Sequence, residues 1–110
     1  MSGRYTVKPK ADQDLDDYAD YLAREASLEV ALRFYAEAHD TFTLMAAHPN
    51  IGWPARLNHP QLESLRVFRV SGFERMLILY RPLPAGVDTL RVVHGSRDLQ
   101  GLLRRRAEIE

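Results

Sequence analysis

The stretch from 65 to 98 constrains the fold most, because it reads as three consecutive antiparallel strands. Residues 65–70 alternate between two faces, and a turn containing Gly72 follows. Residues 75–81 carry the unbroken apolar run MLILY, which leaves no polar face and predicts a central strand covered on both sides. Prolines and a glycine then break the chain, and residues 89–95 return as the third strand.

The N-terminal half predicts one strand followed by two helices. Residues 4–9 alternate and form a short strand, placed at a sheet edge because Pro9 cannot donate a hydrogen bond. Apolar residues at helical spacing predict a helix over 11–25. Ser27 is the expected N-cap of a second helix that runs to about His48. The link between the two helices is so short that they should pack antiparallel as a hairpin.

A long loop and a final helix complete the predicted order. Residues 49–64 are rich in proline and hold Trp53, which we interpret as a lid over the core. Asp98 is the expected cap of a last helix over 99–110. The sequence therefore predicts a single α+β domain over residues 1–110. Its order is β-α-α-β-β-β-α, with a helical hairpin packed on a small antiparallel sheet.

Charge is divided unevenly along a chain whose formal net charge is zero. Residues 11–40 carry nine acids and two arginines, whereas residues 51–106 carry ten arginines and four acids. Thirteen of the fifteen basic residues are arginine, the side chain that grips carboxylates and phosphates in a bidentate manner. A GC-rich genome would also favour arginine over lysine, but codon usage does not explain the clustering. The sequence thus indicates a basic surface that the overall charge conceals.

Several function classes are disfavoured. The absence of cysteine excludes disulfides and thiolate metal sites. Asp12, Asp14 and Asp16 alternate as in a calcium loop but lack its glycine and terminal glutamate, so we expect a solvated helix N-terminus and no metal. No signal peptide is recognisable, and the longest apolar run is far shorter than a membrane helix. We therefore expect a cytoplasmic protein without a cofactor.

Eight fragments of the sequence, in register along most of the chain, form a recognisable pattern. The most specific piece is His94-Gly95-x-Arg97-Asp98, within the stretch 91–98, RVVHGSRD, at the end of the third predicted strand. The other fragments are Ala11-x-x-Asp14-Leu15, Tyr21-Leu22-Ala23, Ser27 with Ala31 and Phe34, Met45-Ala46-x-x-Pro49-x-x-Gly52, Arg56, Leu65-Arg66-x-Phe68 and Leu79-Tyr80-Arg81. Together they resemble the ParE/RelE superfamily of bacterial type II toxins, the ParE branch above all.

The resemblance implies both a target and a partner. ParE-like toxins poison DNA gyrase without being hydrolases, serve in plasmid stabilization, and are neutralised by a ParD-like ribbon-helix-helix antitoxin in a hetero-oligomer. Nucleic acid would then be reached only through the antitoxin or gyrase. The RelE branch shares the fold but cleaves mRNA on the ribosome. A non-toxic, antitoxin-binding relative is a third possibility.

A RelE-like reaction would need a proton-transfer group and cations around the phosphate. Glu63 or His94 would transfer protons, and Arg75 and Arg97 would stabilise the negative charge on the reacting phosphate. The chain departs from the RelE pattern because both lysines lie at the N-terminus and no tyrosine follows Tyr80. The alternative interpretation of His94 is structural, with its ring hydrogen-bonded at the end of a strand.

For gyrase poisoning, the candidates belong to the basic surface and the C-terminal segment, although the last arginines would also suit a solvated helix end. For antitoxin binding, the candidates combine apolar helix residues with arginines of the sheet. The candidate target-binding residues are Arg69, Arg97, Leu102, Leu103, Arg104, Arg105 and Arg106. The candidate antitoxin-binding residues are Leu22, Phe34, Arg66 and Arg81.

Overall fold

The computed structural model describes residues 3–55, 64–105 and 109. These residues form three helices and a five-stranded sheet whose strands lie in the order β1-β5-β4-β3-β2. In chain order the elements are β1 (Arg4–Val7), α1 (Pro9–Glu25), α2 (Leu28–Ala47), β2 (Trp53–Pro54), β3 (Arg66–Val70), β4 (Phe73–Leu83), β5 (Gly86–His94) and α3 (Gly95–Leu103).

The apolar strand β4 lies at the centre of the sheet, as its sequence predicts. Its alternate side chains point to opposite faces, so that Ile78 belongs to the core under the helical hairpin and Leu79 to the core under α3. Both side chains are fully buried. The α+β class and the hairpin-on-sheet architecture are thus confirmed.

The helical hairpin forms where the sequence places it. The Ser27 hydroxyl accepts a hydrogen bond from the Val30 N–H at 3.1 Å, which caps α2 as predicted. The buried face of α1 consists of Ala11, Leu15, Ala19 and Leu22, and that of α2 of Ala31, Phe34, Ala38, Thr41, Phe42, Met45 and Ala46.

The sheet is mixed, not wholly antiparallel as expected. β1 occupies the predicted edge position but runs parallel to β5, with Arg4 opposite Gly86. Parallel pairing is possible because the chain between the two strands is long enough to cross over. Pro9 is not part of β1; it starts α1, where its missing N–H would have no helical partner in any case.

The last helix begins earlier than predicted, and Asp98 does not cap it. α3 starts at Gly95, whose φ of +79° suits the sharp change of direction from β5. Asp98 therefore lies in the first turn of α3, and no side chain caps the helix. The helix ends at Leu103, and Ile109 packs on the same face of the sheet.

The segment before β2 is fastened to the sheet by two side chains. The buried Tyr80 hydroxyl donates to the Pro49 carbonyl at 2.8 Å and accepts from the Gly52 N–H at 3.0 Å. Arg66 donates from Nε to the Gly52 carbonyl at 3.0 Å. Backbone groups of an irregular segment are thereby satisfied, and Trp53 is fixed at the sheet edge.

Candidate functional site

A cleft of about 460 Å³ opens between α1, the end of β5 and α3. Apolar side chains form part of its lining, Val92 among them, and charged side chains from the two helices lie around them. The lining residues are Asp14, Asp17, Tyr18, Tyr21, Met76, Arg91, Val92, Val93, His94, Arg97, Asp98, Gly101, Leu102 and Arg105. We call this feature the α1–α3 cleft.

One wall of the α1–α3 cleft is held by Asp14. Its carboxylate accepts from Arg91 Nε at 2.7 Å and Nη2 at 2.9 Å, and from the Val92 N–H at 2.9 Å. Asp14 is therefore not a solvated acid, as the sequence suggested, but joins α1 to β5. Asp16 accepts instead from the Tyr35 hydroxyl at 2.5 Å. Within the described part of the chain no three metal-binding side chains come together.

His94 and Arg97 both line the α1–α3 cleft, as the last residue of β5 and an early residue of α3. The His94 ring lies 6.0 Å from the Tyr18 ring, centroid to centroid. Within the described residues the His94 ring makes no hydrogen bond, so the predicted structural hydrogen bond is not formed. No acceptor or carboxylate in the described part of the chain fixes its tautomer, unlike a general base that a third group orients.

Arg75 and His94 meet in a second hollow of about 480 Å³, which Tyr18 and Tyr21 also line. We call it the Tyr21 hollow. Burial raises the pKa of Tyr18, the adjacent Tyr21 adds to the rise, and the Arg75 guanidinium opposes it. The structure thus brings together three of the four candidates for RNA cleavage, because Arg97 shares the α1–α3 cleft with His94. The fourth, Glu63, lies outside the described residues.

Trp53 lies on the surface and is not a lid over the core. Its side chain is 40% exposed, and the Arg69 guanidinium carbon lies 5.2 Å from its ring centroid. Arg69 also donates from Nη1 to the Glu74 carbonyl at 3.2 Å. A hollow of about 360 Å³ beside this pair, here called the Trp53 hollow, is lined by Trp53, Arg69, Glu74, Arg75, Leu77, Gly95 and Leu99.

The C-terminal candidates divide between core and surface. Leu102 is 1% exposed and Leu103 packs beside it on the α3 side of the sheet. Arg104 and Arg105 are exposed, and Arg105 lines the α1–α3 cleft. Arg106 lies outside the described residues. Leu102 therefore contributes to the core and is not available as a target-binding side chain in this conformation.

Two of the expected antitoxin contacts are also core residues. Phe34 is fully buried and Leu22 nearly so, both under the helical hairpin. Periodicity identifies apolar helix residues but cannot tell a buried residue from one left open for a partner. Arg66 is engaged with the carbonyls of Gly52 and Asn50, and Arg81 is half-buried.

Sequence reasoning missed three residues of these sites, namely Asp14, Tyr21 and Trp53. Tyr21 falls outside the apolar stripe of α1, which was a signal that its ring points outward; it is 48% exposed. No local signal identified the partner of Asp14, because Arg91 is 77 residues away in the chain.

These features define a small α+β protein whose charged side chains line open clefts. No helix in residues 3–55 and 64–105 is long and apolar enough to cross a membrane. The family described as the ParE toxin of type II toxin–antitoxin systems, parDE, matches residues 5–99. The chain belongs to the ParE toxin family.

A solved structure supports the same fold. The chain is similar to a chain of the chromosomal ParDE toxin–antitoxin system from P. aeruginosa, with a TM-score of 0.69 and 17% sequence identity. The similarity covers 86% of this chain and 98% of the other. No curated protein sequence matches this chain at a significant level.

Proposed function

We propose that this protein is a toxin that poisons DNA gyrase and is neutralised by a ParD-like ribbon-helix-helix antitoxin. Membership of the ParE family supports the toxin class. The proposal that gyrase is the target rests on a set of exposed arginines that have no carboxylate partner among the described residues. In the part of the chain from β3 onward they are Arg69, Arg75, Arg97 and Arg104.

Gyrase poisoning needs a surface that holds a protein–DNA complex, not a catalytic group. Exposed arginines suit this task because they can grip carboxylates or phosphates with two hydrogen bonds each. Arg97 lies on α3, and Arg104 and Arg105 follow directly after it. We place the target contact on these three residues and Arg106.

The antitoxin is proposed to occupy the α1–α3 cleft with an acidic, amphipathic segment. The lining combines apolar side chains such as Met76 and Val92 with Arg97 and Arg105, which complement a segment of that kind. Such a segment would fold as it binds and would cover Arg97. Neutralisation then follows from occupation of the same arginines that contact the target.

Ribosome-dependent mRNA cleavage is the second candidate. It is favoured by one observation, the meeting of Arg75 and His94 in the Tyr21 hollow. It is disfavoured because His94 has no hydrogen bond that would orient it among the described residues. A relative that binds antitoxin without being toxic is the third candidate.

The direct test is gyrase-mediated DNA cleavage and supercoiling with purified toxin. Under the proposal, wild-type toxin inhibits supercoiling and accumulates cleaved DNA, and Arg97→Ala with Arg104→Ala weakens both effects. Arg24→Ala, on the acidic hairpin, is the matched control and should act as wild type. Toxin that leaves gyrase unaffected but cleaves mRNA in a translation reaction would transfer the assignment to the second candidate. Toxin inert in both assays would indicate the third.

A further inference from the structure

We propose that the toxin binds single-stranded nucleic acid directly, along a track formed by Trp53, Arg69, Arg75, His94 and Tyr21. We call these five residues the aromatic–arginine track. Gyrase poisoning as proposed above requires only contact with nucleic acid through gyrase, so direct binding is a separate activity. The track crosses from the Trp53 hollow to the Tyr21 hollow.

The two hollows are neighbours because they share a residue. Arg75 lines both the Trp53 hollow and the Tyr21 hollow. The Tyr21 hollow in turn adjoins the α1–α3 cleft, which shares Tyr18, Tyr21 and His94 with it. An extended chain that occupies both hollows would therefore pass over the exposed Arg75 side chain.

The side chains along the track have the chemistry of single-strand recognition, which combines aromatic rings for bases with cations for phosphates. Trp53 and Tyr21 are the exposed rings, at 40% and 48%. Arg69 is already stacked on Trp53, which presents a flat cation and ring together at the surface. Arg75 has no hydrogen bond or ion pair within the described residues, so its donors are available to phosphate.

The acidic residues near the track should weaken the binding of a duplex, or of any polyanion of high charge density, more than they weaken the binding of a single strand. Glu74 lines the Trp53 hollow, but its carboxylate oxygen Oε1 accepts from the Gly72 N–H at 3.3 Å. Asp14 is paired with Arg91. Asp17 and Asp98 line the α1–α3 cleft together with Tyr21 and His94, so these acids lie beside that end of the track. The favourable part is therefore short, suited to a few nucleotides.

The chain contains a single tryptophan, which provides a direct probe. Fluorescence excited at the tryptophan band is recorded while a 12-nucleotide oligo(dT), an oligo(rU) of the same length, or a blunt duplex is titrated into the full-length toxin at low salt. We expect quenching by the single strands and weaker quenching by the duplex. Whichever of oligo(dT) and oligo(rU) binds more tightly identifies DNA or RNA as the preferred ligand.

Variants separate the track from general electrostatic attraction. With labelled oligonucleotide and fluorescence anisotropy, Trp53→Ala and Tyr21→Ala should each weaken binding by about tenfold, the order expected for one stacked base, while Trp53→Phe retains most of the affinity. Arg75→Ala should lower the slope of log affinity against log salt by about 0.7, the value for one phosphate on a single strand. Arg24→Ala should leave both quantities unchanged.

Three outcomes would overturn the proposal. They are absence of quenching and of anisotropy change at millimolar oligonucleotide, equal affinity in wild type and the track variants, or an equal loss in Arg24→Ala. Circular dichroism and thermal melting of each variant exclude unfolding as the cause of a loss. Because only toxin and oligonucleotide are present, the result does not depend on whether gyrase is the target.

Discussion

Asp14 on α1 and Arg91 on β5 form a two-hydrogen-bond ion pair, at 2.7 and 2.9 Å, that closes the sheet edge beyond β1. β1 ends at Val7, opposite Thr89, so the next part of β5 has β4 on one side but no strand on the side of β1. The Asp14 carboxylate takes the Val92 N–H in place of a strand carbonyl. The Asp14 side chain thus provides a hydrogen-bond acceptor for the sheet edge and also forms a wall of the α1–α3 cleft.

Replacement of Asp14 should destabilise the protein. The two side chains are only 15% and 18% exposed, so Asp14→Ala removes an ion pair and three hydrogen bonds from a largely buried position. We expect a loss of about 2–3 kcal/mol in the free energy of unfolding, measured by urea denaturation. Asp20→Ala, an exposed acid on the same helix, is the control and should change stability by less than about 0.5 kcal/mol. Equal effects of the two variants would contradict this role.

Removal of the Tyr80 hydroxyl should loosen the segment before Trp53. Tyr80→Phe keeps the buried ring but leaves the Gly52 N–H and the Pro49 carbonyl without their partner. The expected loss is about 1–3 kcal/mol, again from urea denaturation. Tyr21→Phe removes an exposed hydroxyl and should leave stability unchanged. A neutral Tyr80→Phe would mean that water replaces the hydroxyl at no cost.

Two glycines should respond to alanine in opposite directions. A Cβ at Gly86 would lie 1.7 Å from the Arg4 carbonyl oxygen, so Gly86→Ala should displace β1 and lower the melting temperature. At Gly101, inside α3, the nearest atom is the end of the Arg105 side chain at 3.5 Å. Gly101→Ala should therefore stabilise by about 0.5–1 kcal/mol. Thermal melting of both variants checks the contrast, and a stabilising Gly86→Ala would refute the parallel pairing.

Stability should fall at alkaline pH in part because of Tyr35. Burial, the hydrogen bond to Asp16 and the nearby carboxylates raise the pKa of Tyr35 from 10.0 to about 12. The folded state therefore holds this proton more tightly than the unfolded state. The contribution of protonated Tyr35 to the free energy of unfolding is complete below pH 10 and is lost as the pH rises from 10 towards 12.

Urea denaturation at pH 9 and pH 11 measures this contribution, with Tyr35→Phe as the comparison. The variant should lose less stability than wild type between the two pH values, because phenylalanine does not titrate. Tyr18 and Tyr80, whose pKa values burial also raises, contribute to the fall that remains in the variant. An identical fall in both proteins would show that Tyr35 contributes nothing.

The terminal arginines are expected to act in toxicity and not in neutralisation alone. Changing Arg104, Arg105 and Arg106 together to alanine should reduce growth inhibition while antitoxin binding persists, since the apolar lining of the α1–α3 cleft is retained. Colony counts after induction measure the first effect, and co-purification with the antitoxin measures the second. Full toxicity of the triple variant would make these residues solvated surface.

Local pattern was sufficient for most of the fold. The apolar run of β4 predicted a strand covered on both faces, and Ser27 predicted the start of α2; both depend only on neighbouring residues. The parallel pairing of β1 with β5 was not predictable, because strand direction at that edge is set by the long crossover and not by either strand's sequence.

The site was predicted less completely than the fold. Arg75, His94 and Arg97 were identified from the proton-transfer group and cations that RNA cleavage would need, and the structure brings them to adjoining hollows. Asp14 was misjudged because a carboxylate at a helix start is usually solvated, and only tertiary structure supplies its distant arginine. Phe34 was misassigned because a fully buried helix residue and an open docking residue share the same periodicity.

Pulse-labelling in living bacteria is the sharpest test of the proposal that this ParE-family protein acts on gyrase. DNA and protein synthesis are measured within minutes of inducing the toxin alone in bacteria, with uninduced cells as reference. Gyrase poisoning predicts an early fall in DNA synthesis while translation continues. An immediate fall in translation, with DNA synthesis unaffected, would contradict it and direct attention to His94 and Arg75.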